Sequence, residues 1–151
     1  MLNKMFKSVL EQDRAPVVIC NLEHIIVYMN PAAEVNYAKS GGIKLLGSNL
    51  LDCHNERSNE IIKKVVAWFG ESTENNMIYT ERNEVKNKDV YMVALRDEDG
   101  TLIGYYEKHE FRNAETAERY DYTKSLVWAK WASGTGLVAH ICASGTWLVV
   151  Y

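Results

Sequence analysis

Apolar positions along the chain change their period several times, and each change marks an element. Between Asn3 and Gln12, Met5, Phe6, Val9 and Leu10 fall on one stripe at helical spacing, which predicts a short amphipathic helix with a charged outer face. Pro16 to Cys20 and Ile25 to Met29 are β-rich runs separated by the polar turn Asn21-Leu22-Glu23-His24, so they predict an antiparallel hairpin. Asn30-Pro31 ends the second strand and opens a helix, because Asn caps free N–H groups and Pro is tolerated at the first helical position. That helix is expected over Ala32 to Lys39 and is closed by Gly41-Gly42, residues free to take positive φ. Gly47 and Ser48 then punctuate a short turn before Asn49 to Asp52.

The clearest helix starts near Asn55 or Ser58. Ile61, Ile62, Val65, Val66 and Phe69 recur at i, i+3/i+4 spacing while Lys63 and Lys64 point away, and Gly70 is expected to end it. The second half is strand-rich. Met77 to Thr80 predicts a strand, a polar turn runs through Asn83 and Asn87, and Val90 to Arg96 predicts a longer strand. After the turn Asp97 to Gly100, Thr101 to Glu107 returns as its antiparallel partner. Two strands, several short helices and then three strands make an α+β fold, with helices packed on one face of an antiparallel sheet.

Composition narrows the class without naming a chemistry. Apolar residues make up 47% of the 151 residues and charged residues 25%, the mix of a globular protein with one ordinary core. The net charge of −3 is interspersed, which argues against a nucleic-acid footprint. Cys20, Cys53 and Cys142 are far apart and odd in number, so neither a disulfide framework nor a closed zinc site follows, and the reducing cytoplasm is the expected compartment. The opening MLNKMFKSVLEQDR becomes charged too soon for a signal peptide, and a membrane partner is not expected.

Several local segments add a resemblance. Ile26 to Glu34 (IVYMNPAAE), Leu45 to Leu50 (LLGSNL) and Arg96 to Tyr105 (RDEDGTLIGY) are similar, in order, to three junctions of the PAS domain. Residues from about Met5 to Asn113 therefore resemble a PAS domain: an α+β fold with a five-stranded antiparallel sheet and short helices on one face. Leu51 to Ser58 (LDCHNERS) is similar to the C-H-P-P-x-S segment of a bacterial PAS subgroup, with Asn55-Glu56 in place of Pro-Pro, so only Cys53, His54 and Ser58 match. The resemblance implies a sensory module that binds a small ligand or a protein partner and signals through its terminal segments. Its expected partners are a separate signalling protein and a second copy of itself, the homodimer forming through Met5, Phe6, Val9 and Leu10.

The resemblance also places a cavity between the long helix and the inner sheet face. The matching positions are Ile61, Ile62, Val65 and Phe69 against Val27, Met29, Met92, Ala94, Ile103 and Tyr105, and they either line a pocket or simply fill the core. His54, where the chain enters that helix, has two readings: an axial haem ligand, making the protein a gas or redox sensor, or a helix cap bonded to a nearby carbonyl. Cys53 is expected to be a packed thiol. His24, in the hairpin turn, and His109, beyond the last strand, are expected to be solvated. No nucleophile–base–acid arrangement or carboxylate pair is visible, so no enzymatic activity is expected. A third reading is a ligand-free dimerisation module.

The character changes after Asp121. Residues 1–122 read as the domain with its N-terminal helix and an exit helix over Ala114 to Tyr122, and 123–151 as an accessory or non-native apolar tail. That tail holds Trp128, Trp131 and Trp147, and it repeats Ala132-Ser133-Gly134-Thr135 as Ala143-Ser144-Gly145-Thr146. A weak membrane span, a pair of added strands and translated non-native sequence are its three readings.

Overall fold

The computed structural model describes residues 1–121, and the expectations for 123–151 lie outside them. Helix α1 (Leu2–Gln12) is followed by β1 (Val18–Cys20), β2 (Ile26–Met29), α2 (Pro31–Asn36), three single 3₁₀ turns (Ala38–Ser40, Gly42–Leu45, Leu50–Cys53) and α3 (Glu56–Glu71). Strands β3 (Met77–Asn83), β4 (Lys88–Arg96) and β5 (Leu102–Phe111) complete it. All five strands form one antiparallel sheet in the order β2-β1-β5-β4-β3, so the first hairpin joins the last strand at the centre. This is the expected α+β arrangement.

The helix starts are built as the sequence dictates. Asn30 Oδ1 accepts from Ala33 N at 2.8 Å with Pro31 at the first helical position. Asn55 Oδ1 accepts from Ser58 N at 2.9 Å and fixes the start of α3. α3 runs one residue past Gly70 to Glu71, because its C-terminal carbonyls find a partner: Arg96 Nη2 donates to Phe69 O (2.7 Å) and Ser72 O (2.9 Å). Ala32 to Lys39 is not one helix. It stops at Asn36 and tightens into a 3₁₀ turn before Gly41 and Gly42, both at positive φ.

Asn30 is more than a cap. It is fully buried, and Val17 N also donates to its Oδ1 at 2.9 Å. Its Nδ2 donates to Ala15 O (2.9 Å), Leu10 O (3.1 Å) and Asp13 O (3.3 Å). One side chain thus ties the end of α1 to β1 and α2. The apolar stripe of α1 is otherwise uncovered: Leu2, Met5, Phe6 and Val9 are exposed.

The core lies between α3 and the inner sheet face. Ile62, Val65 and Phe69 of α3 pack with Val18, Cys20, Ile26, Met29, Met92 and Tyr105, and Phe69 has no exposed surface. Two bulges decide which strand residues face this core. Ile19 pairs with Tyr28 and Cys20 with Ile26, so Val27 is an extra residue; it turns outward and is 52% exposed. Leu95 pairs with Gly104 and Arg96 with Leu102, so Ile103 is extra in the same way and 53% exposed. Gly104 sits where β5 meets β1, and a Cβ there would lie 2.5 Å from Cys20 O, so only glycine fits.

Two expectations at the C-terminal end are corrected. β5 continues to Phe111, four residues beyond Glu107, because β4 begins at Lys88 and pairs with it along its whole length. His109 is therefore a strand residue on the inner face, 6% exposed, and not solvated. Residues 114–121 form no helix, as only Ala114, Ala117 and Tyr120 could supply an apolar face. Among the described residues, no helix is long and apolar enough to cross a membrane.

Candidate functional site

A cavity of about 180 Å³ lies between the inner sheet face and the helical segment. The sheet contributes Val18, Cys20, Ile26, Met29, Met92, Tyr105 and Glu107. The helices and 3₁₀ turns contribute Tyr37, Ser40, Leu45, Leu50, Cys53, His54 and Ile62. Of the positions read from the sequence, Met29, His54, Ile62, Met92 and Tyr105 border this space. Val65 and Phe69 are buried in the core next to it, and Ala94 packs against that core. Val27, Ile103 and Ile61 do not: the bulges turn the first two outward, and Ile61 sits on the flank of α3, 45% exposed.

Besides Ser40, Cys53 and His54 on the helical side, the cavity has polar groups at two points of the sheet face. At one end Tyr105 Oη is 2.8 Å from His24 Nδ1, and the two rings meet edge to face. His24 is half-buried, not solvated, because positive φ in its turn brings the ring back over Tyr105. Burial and then Lys63 push the His24 imidazole below its usual value, so it is neutral at pH 7. Burial pushes the Cys20 thiol up to about 11, which leaves it unreactive.

At the other point Glu107 is held by a chain of side chains. Lys88 Nζ lies 3.0 Å from His109 Nδ1, His109 Nε2 lies 2.8 Å from Glu107 Oε2, and Tyr37 Oη donates to the same oxygen at 3.2 Å. A Lys ammonium only donates, so His109 accepts at Nδ1 and carries its proton on Nε2 toward the carboxylate. Burial alone would push the Glu107 carboxyl up, but His109, Lys88 and Tyr37 outweigh it and hold it below its usual value. The cavity wall therefore carries an ionised carboxylate braced from behind. Glu107 is not among the positions read from the sequence; it stands two residues after Tyr105 and so shares its face of the strand.

His54 is exposed at the cavity edge with Nδ1 2.9 Å from Leu50 O, the carbonyl contact of its structural reading. Cys53 beside it is exposed, not packed. Haem does not fit: the cavity is smaller than the roughly 300–1,000 Å³ of sites that enclose cofactors and drug-sized ligands. No cluster of three or more metal-ligating side chains occurs among the described residues.

No protein-family model and no curated protein matches the sequence. Solved structures do match by fold. The PAS domain of a protein from Colwellia psychrerythraea superimposes with a TM-score of 0.56 at 14% identity, covering 74% of this chain and 97% of that one. The chain has the PAS fold. The PAS domain of BvgS from Bordetella pertussis gives a TM-score of 0.53 at 10% identity over 75% of this chain and 88% of that one. A C-terminal domain from Streptococcus mutans gives 0.56 at 23% identity over 72% and 84%. These likenesses, added to the strand order of the sheet, agree with the PAS resemblance of the sequence at the level of fold.

Proposed function

We propose that this PAS-fold chain is a sensory, non-catalytic module whose internal cavity binds a small molecule. The observation that carries this reading is the cavity itself, enclosed by the sheet and the helices where other side chains of the core pack closely. An apolar wall with few polar groups is the usual make-up of a small-molecule site. Scaled from a cavity of 150 Å³ that takes benzene, about 180 Å³ suits a ligand of roughly six to ten non-hydrogen atoms.

Occupancy would reach the rest of the protein by a population shift in how the helices sit on the sheet. Asn30 is the natural relay, because it follows Met29 of the cavity wall and holds the end of α1. The exposed stripe of α1 would meet its equivalent in a second copy, since eleven residues of helix gain little stability without a packing partner.

Thermal unfolding in the presence of small aromatic fragments tests the reading. Some fragments should raise the midpoint in a saturable way, and Met92→Trp, which fills the cavity, should abolish the rise while the protein stays folded. Fragments that stabilise both forms equally would overturn it.

A further inference from the structure

The cavity wall is mostly apolar; its polar side chains are Ser40, Cys53 and His54 on the helical side, Tyr105 with its neighbour His24, and Glu107 with Tyr37, and Glu107 is the one carboxylate among the lining residues. The His24–Tyr105 pair is neutral, and its polar atoms face each other at 2.8 Å. Glu107 differs in three respects. It lines the cavity, 42% of its side-chain surface is accessible, and both of its bracing donors act on Oε2. A carboxylate offers about four lone-pair sites, so two donors on one oxygen leave acceptor capacity for a ligand.

From this geometry we infer that the cavity is selective for a small organic amine, an ammonium group on an aromatic or aliphatic body, whose N–H donates to Glu107. The inference rests on the cavity being the binding site, and it names the ligand class. A carboxylate in a mostly apolar space repels carboxylate and phosphate ligands. It gives a neutral apolar molecule nothing to pair with, so binding such a molecule leaves the charge desolvated. An ammonium supplies a charge-assisted hydrogen bond, roughly twice as strong as a neutral one. The brace fixes the carboxylate before the ligand arrives, so little ordering is lost on binding. Lys88 reaches Glu107 through the intervening imidazole and not by a hydrogen bond of its own, so the carboxylate's hydrogen bonds come from His109 and Tyr37, both on Oε2.

Size and charge together define the probes. Benzylamine, benzyl alcohol and benzoate share one body of suitable bulk and differ only in the head group. Calorimetric titration of the full chain at pH 7 should show benzylamine binding at least tenfold tighter than benzyl alcohol, with benzoate weakest. Glu107→Gln keeps an acceptor for His109 and Tyr37; it should lower benzylamine affinity at least tenfold and leave benzyl alcohol within about twofold. Tyr37→Phe, which loosens the brace but keeps the charge, should weaken benzylamine by a smaller factor.

Benzyl alcohol or benzoate binding as tightly as benzylamine would overturn the amine assignment while leaving a ligand-binding cavity intact. The same holds if benzylamine affinity is unchanged in a folded Glu107→Gln. No binding by any of the three at 10 mM, on the order of ten thousand times a micromolar dissociation constant, would overturn the amine assignment and the cavity reading together.

Discussion

Replacing Asn30 with Ala removes five hydrogen bonds from one buried point, and the structure sets the expected cost. Val17 N–H would lose its only side-chain acceptor in a buried setting, worth about 1–3 kcal/mol. Ala33 N–H would lose the cap of α2, worth about 1 kcal/mol. The carbonyls of Leu10, Asp13 and Ala15 lose a shared donor but lie nearer solvent, so they add less. The sum is about 3–5 kcal/mol, a large share of the ~5–15 kcal/mol that holds a typical domain together. With a urea dependence of ~2 kcal/mol per molar, the unfolding midpoint should fall by about 2 M.

Asn30→Asp separates the two sides of the hub. It keeps an acceptor for Val17 and Ala33 but presents no donor to the three carbonyls, so α1 should lose amide protection in hydrogen exchange even where the core remains protected. A loss below about 1 kcal/mol in Asn30→Ala, or unchanged exchange of α1 in both variants, would refute Asn30 as the link between α1 and the core.

Three further perturbations probe the frame around the cavity. Gly104→Ala drives a methyl group against Cys20 O and should cost about 1–3 kcal/mol, seen as a fall of roughly 5–15 °C in the thermal midpoint; Gly70→Ala, with open space around it, should be neutral or slightly stabilising. Arg96→Met keeps the apolar stem but strips donors from Phe69 O, Ser72 O, Asn75 O and Gly100 O, so about 2–3 kcal/mol should be lost in urea unfolding. Glu107 has a folded-state pKa below its unfolded value, so its contribution is complete above about pH 4.5 and is lost as pH falls through the folded value. Stability measured from pH 7 to pH 3 should drop on the acid side, and Glu107→Gln should flatten that limb; equal slopes would contradict the brace.

The sequence revealed the elements more readily than the faces they present. The i, i+3, i+7 spacing of Ile62, Val65 and Phe69 and the Asn30-Pro31 junction act locally, so their consequences can be read along the chain. The resemblance places Val27 and Ile103 inward beside Met29 and Tyr105, yet each is the extra residue of a bulge, which depends on what the neighbouring strand does. His109 was placed outside the sheet because nothing local marks the end of β5; pairing with β4 sets it. Tyr37, Leu45 and Leu50 reach the cavity from short turns that have no period to read. Glu107, two residues after Tyr105, and Val18 and Cys20, two apart on β1, are within reach of strand alternation.

Native mass spectrometry of gently purified protein tests most directly the claim that the cavity is a ligand site. A ligand-binding cavity should give a non-covalent adduct of one small molecule per chain, displaced by benzylamine and absent from Met92→Trp. An adduct retained by the cavity-filled variant, or a wild-type protein that takes up neither a cellular molecule nor an added amine, would contradict it.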